Sequence, residues 1–125
     1  MITLLDGYPD DVLAISATGQ VTARDYEKVL IPEGEARLKR HPKIRFLYHI
    51  GEEFKGMSPT AMFMDARFGL AHMRQLGRSA LVTDVPWIAD GAKLFAPFFH
   101  MPFRVFSNAE FEAARTWVLS ADADA

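Results

Sequence analysis

Three apolar runs in this chain each lead into a helix-entry signal, and that repetition limits the fold more than any other feature. IRFLYHI (44–50) is followed, across the loop GEEFKGM, by Ser58-Pro59, a capping hydroxyl with proline at the first helical position. SALVT (79–83) runs into Asp84, read as a cap, with Pro86 in the first turn after it. FRVF (103–106) meets Ser107 and Glu110, the two ends of a capping box, with Phe106 and Phe111 placed as its hydrophobic staple. Strands that alternate with helices are joined by right-handed crossovers, which makes them parallel and the fold α/β.

The N-terminal part differs. ITLL (2–5) and VLAISA (12–17) flank DGYPDD, whose Gly, Pro and Asp mark a turn, so the two runs read as an antiparallel hairpin. Thr22 and Asp25 then open a helix, with Val21 and Tyr26 at the staple positions, and Pro32 imposes a bend or restart near Ile31. The expected order is ββαβαβαβα: a mixed, mostly parallel sheet with four helices. One domain over residues 1–120 and a short polar tail at 121–125 are expected.

Composition narrows the function classes. The net charge is −2, so no global basic field favours nucleic acid. Cysteine is absent, which excludes disulfides, thiol catalysis and thiolate metal sites. His41, His49, His72 and His100 share no metal-ligand spacing. Neither a metal nor a cofactor is expected. MITLLDGYPDD lacks the features of a signal peptide, and no window suits a transmembrane helix. A cytoplasmic bacterial protein, at most peripheral to a membrane, is the expectation.

The segment KLFAPFFHMPFRVF (93–106) holds five of the ten phenylalanines, and with it the helices carry more apolar surface than a sheet requires. On the third helix, Trp87, Gly91, Leu94 and Phe98 follow one face, while Ile88, Ala92, Phe95 and Phe99 follow the next. On the second, Met62, Ala66, Gly69 and Met73 form one stripe, and Ala61, Met64, Phe68 and His72 another. Two explanations fit: the helices pack on each other beside the sheet, or the surplus frames an apolar site.

The stretches VTARDYEKVLIP (21–32), KIRFLYHIGEEFKG (43–56), DARFGLAH (65–72), ALVTDVPWI (80–88) and FRVFSNAEFEAARTWV (103–118) together resemble the SpoIIAA-like proteins. These are related to the STAS domains of anti-sigma-factor antagonists and, more distantly in fold, to CRAL-TRIO lipid-binding domains. The resemblance implies a binding module, not an enzyme, directed at an apolar small molecule or a lipid surface. It also implies an alternative, a regulatory interaction with a protein partner switched by serine phosphorylation. STAS antagonists carry their switch serine in an Asp-Ser-Ser/Thr-Gly type motif at the start of the second helix. Here that place reads GEEFKGMSP, with Ser58 at the helix start and proline after it.

The candidate ligand-binding residues are Met64, Phe68, Phe95, Phe98 and Phe99, with Ser58 at the polar end. Ser58 is also the phosphorylation candidate of the alternative. A homodimer that buries the apolar stripe is a third possibility. His49, Ser58 and Asp84 gather at the C-terminal edge of the sheet, but Ser58 lacks nucleophile-elbow glycines and no catalytic residue is assigned. RLKRHPKIR (37–45) reads as a solvated helix end, with contact to anionic lipid as the alternative. Trp87 and Trp117 read as packing aromatics.

Overall fold

The computed structural model describes residues 1–120, so the tail at 121–125 lies outside the described residues. β1 (Ile2–Leu4) pairs antiparallel with β2 (Val12–Val21), Ile2 opposite Ala17 and Leu4 opposite Ile15. β3 (Ile44–Met57), β4 (Leu76–Thr83) and β5 (Phe103–Phe106) follow in parallel, and the five strands stand in chain order across one mixed sheet. Four helices accompany them: α1 over 23–40, α2 (Pro59–Ala71), α3 (Pro86–Phe95) and α4 (Phe111–Leu119).

Chain-order strands and right-handed crossovers together place every connecting helix on one side of the sheet. Accordingly α1, α2 and α3 share the side that buries Leu13, Ile15, Ala17, Tyr48, Ile50 and Leu81. α4 connects no further strand and covers the opposite side, where Ala114 and Val118 pack on Val12, Ala14, Leu47, Ala80, Val82 and Phe106. The alternation expected of IRFLYHI holds: Ile44, Tyr48 and Ile50 face one layer and Leu47 the other.

α1 shows how the chain accommodates Pro32. After the turn Ala23–Asp25 the helix widens into a π turn, Tyr26–Leu30, closed by the Ile31 N–H on the Tyr26 carbonyl. The α-helical part, Ile31–Arg40, then restarts with Pro32 in its first turn, where a missing N–H needs no partner. The entry follows its sequence signal, since the Thr22 N–H donates to Asp25 Oδ2 at 2.8 Å and both Val21 and Tyr26 are buried.

Two local expectations are corrected. GEEFKGM is not a loop: it continues β3 to Met57, because β2 also continues past Ala17 and offers its backbone as a partner. The register shifts on either side of Gly19, which adopts φ +61 and pairs with Phe54. Asp84 does not cap α3 either. Val85 occupies the cap position without a side-chain bond, Thr83 Oγ1 accepts the Val85 N–H at 3.1 Å, and Asp84 Oδ1 accepts the Asn108 N–H at 3.0 Å. Asp84 thus joins the end of β4 to the approach to α4.

The arginines of the basic segment are committed to the fold. Arg40 donates to both oxygens of Asp10 at 2.7 and 3.0 Å, and His41 Nε2 lies 2.8 Å from Asp10 Oδ2. These bonds hold the Asp10 carboxyl well below the usual carboxylate range. Arg37 reaches the carbonyls of Asp10 and Val12 at 2.9 and 3.2 Å. Arg45, buried, donates to both oxygens of Asp11 at 2.9 and 3.0 Å and to the Val118 carbonyl at 2.9 Å. The Asp10-Asp11 turn therefore holds the ends of α1, β3 and α4 together. Asp11→Ala leaves a buried guanidinium without its carboxylate and is expected to lower unfolding free energy by about 2 kcal/mol in urea denaturation. A loss within experimental error would show that the pair contributes nothing.

Candidate functional site

α2 and α3 each give one side to the core and show the other to solvent. On α2, Ala61 and Phe68 are buried and Met64 packs on the same cluster half-buried. Phe68, 7% exposed, reaches α1 at Gly34, where an added Cβ would lie 2.5 Å from Phe68 Cζ. Gly34 is small because Phe68 is there. On α3 the inward residues are Val85, at the cap, with Ile88 and Ala92.

A polar chain fixes α2 beneath this layer. Tyr26, in the π turn of α1, donates its O–H to Asp65 Oδ1 of α2 at 2.9 Å, and its oxygen lies 3.0 Å from the Tyr48 hydroxyl of β3. An ionised carboxylate only accepts, so Tyr26 donates to Asp65 and Tyr48 donates to Tyr26. Burial pushes both phenols up, which keeps them neutral donors. Asp65 is exposed as a residue, yet its Oδ1 is drawn inward. Desolvation there raises its pKa, against the Tyr26 hydrogen bond that lowers it.

The outward sides are apolar. Met62, Phe63 and Leu70 stand exposed on α2, as do Trp87, Leu94 and Phe95 on α3 and Phe98 in the turn Ala96–Phe98. Leu70 is 71% and Phe98 73% exposed, which is open surface, not the rim of a core. Among the described residues, the other exposed large apolar side chains are Met1 and Leu4. Charges are sparse on these helices: Asp65 and Arg67 on α2, Asp90 and Lys93 on α3.

The expected lining residues therefore divide. Phe95 and Phe98 are on the outer surface, while Phe68 is core and Met64 lies half-buried against it. Phe99 is half-buried and meets the Phe103 ring edge-on at 5.0 Å. Ser58 is half-buried and caps α2, its Oγ accepting the Ala61 N–H at 3.1 Å. Trp117 does pack, against Phe106, but Trp87 is exposed, contrary to its reading as a packing aromatic. His49, Ser58 and Asp84 each have a different partner: the Phe111 ring, the Ala61 N–H and the Asn108 N–H.

Phe63 and Leu70 were outside the stripes read from the sequence. Seven residues is two helical turns, so the pair marks one side of α2, with Ala66 between them. That spacing was the available signal. The Tyr26–Tyr48–Asp65 chain left a weaker one, a lone carboxylate between the inward Ala61 and Phe68.

Tyr26→Phe removes the donor to Asp65 and the acceptor for Tyr48, so a loss of about 1–3 kcal/mol is expected in urea denaturation, with faster amide exchange in α2. Unchanged stability and exchange would contradict the anchoring role of this chain. Gly34→Ala forces the Phe68 ring to move and is expected to destabilise by roughly 1–2 kcal/mol despite alanine's better helix propensity. A stability at or above that of the parent would show that the contact yields freely.

Residues 12–119 match the SpoIIAA-like family. No curated protein matches. Among solved structures, an uncharacterized protein of the DUF3478 family with a SpoIIAA-like fold, from Shewanella loihica PV-4, is similar at a TM-score of 0.73 and 26% sequence identity. The match covers 94% of this chain and 93% of that one. With the family match spanning β2 through α4, and the strand order and helix placement described above, the chain belongs to the SpoIIAA-like family.

Proposed function

We propose that this SpoIIAA-like chain is a non-enzymatic binding module that docks on a lipid surface through the outward sides of α2 and α3. The observation that carries the reading is the exposure of Phe63, Leu70, Trp87, Leu94, Phe95 and Phe98 on these two helices and the turn that follows. Extended apolar surface on a monomer marks an interaction site. These side chains project outward, which suits a surface better than a ligand enclosed between the helices. Trp87 is the residue type that settles at a membrane interface, and Arg67 and Lys93 are exposed to meet lipid phosphates. Insertion of each large apolar side chain contributes roughly 1.5–3 kcal/mol, so a few suffice for reversible attachment. No helix among the described residues is long and apolar enough to cross a membrane, and the proposed association is peripheral, on the cytoplasmic side.

A second reading follows from the family. A STAS-type module engages a protein partner, and Ser58 stands at the N-terminus of α2, the helix that exposes Met62, Phe63 and Leu70. A phosphate on Ser58 would meet the first-turn N–H groups of α2 and add charge beside that surface. In this reading Ser58→Asp alters capture of the partner. The same apolar side could also be closed by a second copy of the chain, which a mass measurement in solution detects.

The lipid reading is tested by co-sedimentation with phosphatidylcholine vesicles, with and without phosphatidylglycerol. The parent protein is expected in the pellet. Leu94→Asp combined with Phe98→Asp changes only exposed positions and is expected to weaken binding by more than about tenfold with the fold intact by circular dichroism. Parent protein left in the supernatant with both vesicle types overturns the proposal.

A further inference from the structure

The two sides of the sheet are covered unequally, and the uncovered part holds a cleft. Opposite α1–α3, among the described residues, lie α4, a helix of 9 residues, and the side chains of Leu5 and Tyr8. Along β2 and β3, side chains on that side change character where its cover ends. Val12 and Ala14 give way to Ser16 and Thr18, and Leu47 gives way to His49 and Gly51. Ser16 and His49 are register partners across the β2–β3 ladder. With Ala17, Glu52, Glu53 and Asn108 they line a cleft of about 360 Å³, a volume within the range of small-molecule sites.

The polar groups in the cleft are fixed in place. Phe111 meets the His49 ring edge-on at 5.0 Å, and Asn108 stands beside it in the lining of the cleft. Gly51 leaves the ring its space, since a Cβ there would lie 3.1 Å from both Cε1 and Nε2. Asn108 is held in turn by its backbone N–H on Asp84 Oδ1 at 3.0 Å. Its own Oδ1 is buried and has no hydrogen-bond partner. Desolvation by burial lowers the His49 pKa, and the nearby Asn108 side chain opposes that shift.

The charged residues that line the cleft are Glu52 and Glu53, and neither lysine nor arginine is among the lining residues. The surface thus offers acceptors and negative potential, which a ligand with N–H donors and positive charge complements. Among the described residues no group of His, Asp and Glu is arranged to hold a metal ion. We propose that this cleft binds a small organic cation of the alkylammonium or guanidinium class. It lies on the opposite side of the sheet from the outward surfaces of α2 and α3, so the proposal stands independently of lipid docking.

The test is an amide chemical-shift titration of the full chain with agmatine, with glutarate as the anionic control. Agmatine is expected to move the resonances of residues 16–18, 49–53 and 108 to saturation, while glutarate leaves them in place. The double variant Glu52→Gln, Glu53→Gln, which changes exposed side chains, is expected to weaken agmatine about tenfold. Asn108→Ala, which keeps the backbone bond to Asp84, is expected to weaken it further without unfolding the protein. Shifts that never saturate, that persist unchanged in the double variant, or that glutarate reproduces would each overturn the proposal.

Discussion

A helix that crosses over one side of a sheet owes that sheet a single apolar side, and α2 and α3 carry more. The debt is discharged by Ala61, Met64 and Phe68 on α2 and by Ile88 and Ala92 on α3. Phe68 is drawn down to Gly34, and Asp65 to Tyr26, so α2 has no freedom to roll its other side inward. Chain-order strands with right-handed crossovers place α1, α2 and α3 in one layer, so nothing in the crossover layer itself lies above them. Phe63, Leu70, Leu94 and Phe98 are exposed as a consequence of that geometry.

The opposite side of the sheet follows the complementary rule. One short helix, with Leu5 and Tyr8, covers the apolar half, and the strand ends that outrun it carry serine, threonine, histidine and glycine. Trp117 of α4 is held between two guanidinium groups, Arg78 at 5.1 Å and Arg104 at 5.3 Å from its ring. On the same side Arg45 reaches from Asp11 to the Val118 carbonyl. Cationic side chains thus clamp α4 to the sheet, just as Arg37 and Arg40 clamp α1 to the Asp10 turn. Of the basic residues of 37–45, Arg37, Arg40 and Arg45 are engaged by the protein's own carboxylates and carbonyls.

What the sequence made legible was local. The Ser58-Pro59 and Ser107–Glu110 entries and the β3 alternation are set by neighbours within a few residues, and each folds as its signals imply. GEEFKGM looked like a loop because its glycines and charges are poor strand formers. Its strand pairing comes from β2, a partner far away in sequence whose own extension past Ala17 was equally hidden. Asp84 resembled a cap by position, but its oxygen goes to Asn108 of a distant segment. The surplus of apolar surface was readable from helical periodicity. Which stripe turns outward was not, because that is decided by contacts such as Phe68 on Gly34, which no periodicity encodes.

The central claim, that the outward sides of α2 and α3 enter a lipid surface, is tested most directly by the two tryptophans. Trp87 is 54% exposed on α3, and Trp117 lies across the sheet between its arginines. Vesicles that contain brominated acyl chains should quench Trp87 fluorescence, read in a Trp117→Phe variant, and leave Trp117 untouched in a Trp87→Phe variant. Quenching of neither residue, or of both alike, would contradict the account.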